Sequence, residues 1–215
     1  MKKYAILGVV VALVGCGNDP KEANNDNFTA AINGHLTKDK ACFSYKGKLP
    51  YLAKKGDAPY YEETKLLDAM VELGFLTSVD KSAEVVLNPS RVFGPAKKAT
   101  MSVREFTLTE DGESVYQEGR IRPVLFGSGS TAMKFCYGNY AVTEIKEFTA
   151  PADMLGKRIS EVKFTYSIQD VEDWAYTIVG GKEERLEAFN DRLQPKDGKA
   201  TLVLMSDRWA HSKEI

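Results

Sequence analysis

Two lysines, ten apolar residues and a cysteine open this chain, and they take its first fifteen residues out of the fold. Lys2 and Lys3 follow Met1, and residues 5–14 read AILGVVVALV without a polar side chain. Ten helical residues rise about 15 Å, half of the roughly 30 Å hydrocarbon core of a bilayer. The run is too short to span a membrane and matches the apolar core of a secretory signal peptide behind its basic start. The remaining 200 residues carry 27 basic against 30 acidic side chains. That balance gives no global attraction to nucleic acid. At 43% hydrophobic and 27% charged, the chain has ample material for a core and no disorder signature.

The run ends in Leu13-Val14-Gly15-Cys16. This resembles the lipobox of bacterial lipoproteins, in which a small residue precedes an invariant Cys. The resemblance implies cleavage after residue 15, a diacylglycerol on the Cys16 thiol and a further acyl chain on its new α-amine. One acyl chain binds a membrane only marginally, whereas several anchor stably. In enterobacterial-type lipoproteins an Asp directly after the lipidated Cys holds the protein at the inner membrane. Gly17 stands there instead, so the resemblance implies the outer membrane, with the body in the periplasm. Membrane lipid is then the first partner. Residues 16–27, rich in Asn, Asp, Lys and Glu and holding Pro20, read as a lipidated flexible tether.

With Cys16 assigned to lipid, Cys42 and Cys136 remain. The periplasm is oxidising, so the even remainder predicts a disulfide between them, two buried thiols being the alternative. No Cys-x-x-Cys is present, which argues against a redox-active pair.

The body reads as α+β, with an N-terminal region at 28–126 and a β-rich region with one helix at 127–215. Phe28, Ala31, Ile32 and Leu36 have helical spacing. Leu66, Leu67, Met70, Val71 and Leu73 form a second helical face, closed by Gly74 at a C-cap with Phe75 folding back. Residues 100–108 read as a strand, followed by Thr109-Glu110-Asp111-Gly112 and a short helix to Gln117. The pieces Leu73-Gly74-Phe75-Leu76 and Leu108-Thr109-Glu110-Asp111-Gly112 resemble the winged helix-turn-helix family, and imply a winged-helix-like region packed on a small antiparallel sheet. Beyond Gly127-Ser128-Gly129-Ser130, residues 133–148 read as strands with a turn at Gly138-Asn139. Val162, Phe164, Tyr166 and Ile168 alternate as a half-buried strand. Residues 183–193 read as a helix and 201–205 as a last buried strand, closed by Trp209.

Winged helices commonly bind DNA, but this one is expected not to. Asp57, Glu62, Glu63, Asp68 and Glu72 oppose a single Lys65 in its helical segment, which repels phosphates. The wing is basic, with Arg91, Lys97, Lys98 and Arg104 against Glu105. It fits contact with an envelope protein or an anionic envelope surface.

Signals for chemistry are sparse. Gly127-Ser128-Gly129-Ser130-Thr131 has Gly where a nucleophile elbow needs Ser, and it lacks a P-loop ending, as does Gly180-Gly181-Lys182-Glu183. His35 and His211 lack neighbours at ligand spacing and read as a helix residue and a tail residue. Asp170, Glu172 and Asp173 lack the spacing of a Ca²⁺ loop. No metal or cofactor is expected, and no catalytic residue is assigned. Tyr60-Tyr61, Tyr137-Tyr140 and Trp174-Tyr176 are aromatic clusters able to line a ligand groove or to pack a core. The expected function is a non-catalytic outer-membrane lipoprotein acting through contacts. The alternatives are a small-molecule or glycan-binding module and, behind it, an enzyme whose carboxylates meet only in space.

Overall fold

One nineteen-residue strand organises the structure, a computed structural model that describes residues 19–54, 64–86, 98–121, 130–154, 156–179 and 183–215. This strand, β6 (Ser130–Phe148), is the longest of the ten strands among the described residues. Before it come β1 (Lys40–Lys46), β2 (Tyr51–Lys54), β3 (Leu76–Val86), β4 (Lys98–Leu108) and β5 (Tyr116–Ile121). After it come β7 (Ala152–Met154), β8 (Lys157–Gln169), β9 (Lys196–Leu204) and β10 (Trp209–His211). The helices are α1 (Asn25–Leu36), α2 (Lys65–Glu72), α3 (Glu110–Glu113), α4 (Asp173–Val179) and α5 (Glu183–Leu193), with a 3₁₀ turn at Ser212–Glu214.

The first half of β6 pairs with β1 and with β5, and its second half pairs with β8. The result is a curled seven-stranded antiparallel sheet, ordered β1-β6-β8-β9-β10 with β5 on β6 and β7 on β8. A second sheet is ordered β2-β4-β3. The predicted turn at Gly138-Asn139 is absent, because both residues continue the ladder opposite Ala41 and Lys40. Gly138 answers a different need: a Cβ there would lie 2.6 Å from Ile168 Cγ2 and 3.0 Å from the Gln169 carbonyl. The glycine permits close approach of β8 rather than a reversal.

Among the described residues the expected winged-helix region is not formed. Of the described residues 52% are strand and 27% helix. The chain between α1 and α2 supplies β1 and β2 where a winged helix needs further helices, and α1 packs on the large sheet instead. The motif pieces that carried the resemblance do meet. Gly74 has φ +79°, Phe75 N–H donates to the Met70 carbonyl at 2.9 Å and Gly74 N–H to Val71 at 3.0 Å, a Schellman closure of α2. Thr109 then donates its hydroxyl to the Gly74 carbonyl (2.7 Å), donates its N–H to Phe75 (3.1 Å) and accepts from Gly112 N–H (3.0 Å). A Cβ on Gly112 would stand 2.1 Å from the Phe75 carbonyl oxygen. The similarity is therefore a local joint between two caps, not a fold. Gly112→Ala is expected to open this joint and destabilise by more than about 1 kcal/mol, read as a lowered urea midpoint.

Residues 19–27 are not the flexible tether that their composition predicts. Glu22 N–H donates to the Asp19 carbonyl at 2.9 Å, and the Asn24 side chain caps α1 by accepting from Asn27 N–H at 2.9 Å. Asn27 Nδ2 donates to the carbonyls of Asp19 and Glu22 at 2.7 and 2.9 Å. Polar side chains here close a turn and a cap rather than solvate a coil. Cys16 lies outside the described residues.

The core has three parts. Phe28 and Ile32 of α1 bury against Val162, Phe164, Leu202 and Trp209. Leu67 and Met70 of α2 join Phe106 of the small sheet to Met133 and Phe135 of the large one. Helices α4 and α5 cover Ala41, Tyr137 and Ile168. Cys42 and Cys136 stand opposite each other on β1 and β6 and form the predicted disulfide, 94 residues apart in sequence.

Candidate functional site

The place where most separate features converge is a groove of about 390 Å³ between α1 and β10. Small residues on α1 and β10, Ala30, Ala31, Gly34 and Ala210, form its walls, with Pro20 at one side. Its rim carries charge: Lys38 pairs with Glu214, and Arg208 pairs with Asp207 at 3.0 Å. Trp209, 3% exposed, lies beside the groove and donates its indole N–H to the Lys21 carbonyl at 3.0 Å. The first described residues are thus fastened to nearly the last.

Both histidines of the chain lie here. His35 on α1 and His211 on β10 stack with ring centres 4.0 Å apart and planes 19° off parallel. His35 Nδ1 is 2.6 Å from Glu214 Oε1. His211 Nδ1 accepts from Lys213 N–H at 3.1 Å, which leaves its proton on Nε2 in the neutral ring. Sequence spacing hid this cluster, because 176 residues separate the two rings. The observable signal was Trp209 after a buried strand, which closes the C-terminus onto the sheet.

Burial, reinforced by His35 and Lys213, pushes His211 below the ordinary histidine range. As pH falls, the unfolded chain therefore takes up this proton before the folded chain does. The stability linked to neutral His211 is complete above about pH 6.5 and declines as pH drops toward the lowered native value. The expected result is a Tm that falls from about pH 7.5 to about pH 5.5, and a flatter fall in His211→Gln.

A second groove, about 470 Å³, runs over the central strands β6, β8 and β9. Glu147 and Glu161 both line it, and glycoside cleavage would need two carboxylates that meet in space. Lys163 hydrogen-bonds Glu147 and holds its carboxyl below the usual range. A general acid needs the opposite shift. Lys146 pairs with Asp197 at 2.6 Å on the same face. This is a charge-laddered solvent face, and nothing in its geometry assembles acid–base chemistry. Among the described residues no three His, Cys, Asp or Glu side chains converge as a metal site.

The aromatic clusters pack rather than line an opening. Tyr137 is 3% exposed, with its ring centre 4.7 Å from Phe43 and 5.3 Å from Phe189. Trp174 stacks edge-on to Phe75 at 5.3 Å. Burial pushes the Tyr137 hydroxyl up, against a hydrogen bond with Arg192 that pulls it down. Tyr176 stays 39% exposed beside Phe189. Asp170 takes φ +51° in a turn, and Asp173 opens α4. Tyr60-Tyr61, the glycine-rich stretches at 127–129 and 180–181, Arg91 and Lys97 lie outside the described residues. Of the basic wing, Lys98 pairs with Glu84 at 2.8 Å. Arg104 pairs with Asp68 at 2.6 Å and lies over the Phe106 ring.

No family model, curated protein or solved structure matches the chain. Among the described residues no helix is long and apolar enough to cross a membrane.

Proposed function

We propose that this protein is a lipid-anchored bacterial envelope lipoprotein, non-catalytic, that presents its β-rich body to the periplasm from the outer membrane. The observation that carries the reading is Leu13-Val14-Gly15-Cys16 at the end of a ten-residue apolar run. The Cys42–Cys136 disulfide supports it, since such bonds persist in oxidising compartments. Gly17 after the acylated Cys supports the outer membrane over the inner. Its action is by contact with envelope proteins or an anionic envelope surface. The ion-paired groove over β6, β8 and β9 and the packed aromatic clusters favour this over a glycan site or an enzyme.

The test is Cys16→Ala. The variant is expected to lose palmitate labelling and to keep residues 1–15 attached, read by intact mass. Unchanged palmitate incorporation overturns the proposal, and sedimentation of the wild type with inner-membrane markers overturns the outer-membrane address.

A further inference from the structure

Only Gly17 and Asn18 separate Cys16 from Asp19, the first described residue. Three Cα–Cα steps reach at most about 11 Å. There is no slack beyond that point. The turn at Asp19 is tied by Asn27, and Lys21 is tied by the Trp209 indole. Pro20, one residue further, already lines the groove between α1 and β10. An acylated Cys16 has its chains in hydrocarbon and its backbone at headgroup level. The body must then stand on the leaflet, on the face from which the chain emerges.

That face suits the role. Small residues (Ala30, Ala31, Gly34, Ala210) make up part of its wall beside Trp209 and His211, and its charged side chains, Lys38, Arg208 and Glu214, stand at the rim. Its rim charges are compensated internally by the Lys38–Glu214 and Arg208–Asp207 pairs. Contact is therefore set by the short link and by apolar surface, not by anionic lipid.

We propose that the α1–β10 face, with its groove, is the surface that rests on the lipid leaflet, held there by the two-residue link to acylated Cys16. The proposal rests on the acylation reading, and the experiment separates the two. Full-length protein is purified with its lipid, and its intact mass is measured first. Gly34→Cys in the groove and Glu84→Cys on the second sheet are each labelled with a fluorophore. A Cβ at Gly34 meets nothing within 4 Å, so the new side chain has room there. The labelled proteins are placed in phosphatidylcholine vesicles carrying a headgroup quencher.

Quenching at position 34 is expected to exceed that at position 84 several-fold. A Gly/Ser spacer of about twenty residues between Asn18 and Asp19, spanning about 25 Å, should abolish the difference. An unacylated mass refutes the acylation reading and the docking with it. With acylation present, equal quenching at both positions overturns the docking alone. So does a position-34 label shielded by a cross-linked second copy instead of by lipid.

Discussion

Replacing Cys42 and Cys136 together by serine is expected to lower stability by about 2–5 kcal/mol. The bond closes a loop between residues 94 apart, and that loop contains the whole small sheet, α2, α3 and β5. Cutting it returns that loop's freedom to the unfolded chain, while the folded ladder between β1 and β6 is retained on either side of the pair. The measurement is urea unfolding of the double variant, with the wild type under reductant as a second arm. A loss below about 1 kcal/mol in both arms would refute the assignment of a stabilising staple. Rapid alkylation of both thiols in unreduced wild type, unfolded in urea, would deny the bond itself.

Phe135→Ala is expected to cost about 3–5 kcal/mol, as large-to-small changes at closed core positions do. Phe135 is fully buried at the crowded half of β6. It stands opposite Phe43 on β1 and opposite Tyr116 on β5, whose ring centre lies 5.8 Å away. On the inner side it joins Leu67, Met70 and Phe106, so one side chain bridges the two sheets. Three strands and a helix cannot all move inward to fill the space. Phe135→Leu, which keeps most of the volume, should recover a large part of the loss. If Phe135→Ala costs no more than an exposed substitution such as Leu186→Ala, the shared core is not the joint between the sheets.

How much of this was legible in the sequence depended on how local the cause was. Helix α5 was read to the residue, and the Gly74 cap was read correctly, because capping and periodicity act within a few positions. The disulfide was reached from compartment and parity. The winged-helix expectation misled for the same reason that the caps succeeded. Two cap sequences were read as a fold, yet they specify only the contact between Gly74 and Thr109. Gly138 was read as a turn because a glycine gives no sign, in sequence, of whether it bends a chain or admits a neighbour. The histidine cluster and the α1–β10 groove were invisible, since they join residues near opposite ends of the chain. Nor did polarity at 19–27 distinguish side chains that cap from side chains that merely hydrate.

The fastening of Trp209 to Lys21 sets an order of events for a chain delivered from its N-terminus. Helix α1 emerges first, but the surfaces that bury Phe28 and Ile32 are shared among β6, β8, β9 and β10, and the last three emerge near the end. Until residue 209 has arrived, the leading helix has only part of its seat, on β6, where Asn33 accepts from Val142 N–H at 2.8 Å and Phe28 meets Phe148. A chain threaded across a membrane would thus complete the packing around α1 only once β10 has followed β6, β8 and β9. The last seven residues then act as the fastener of the whole body.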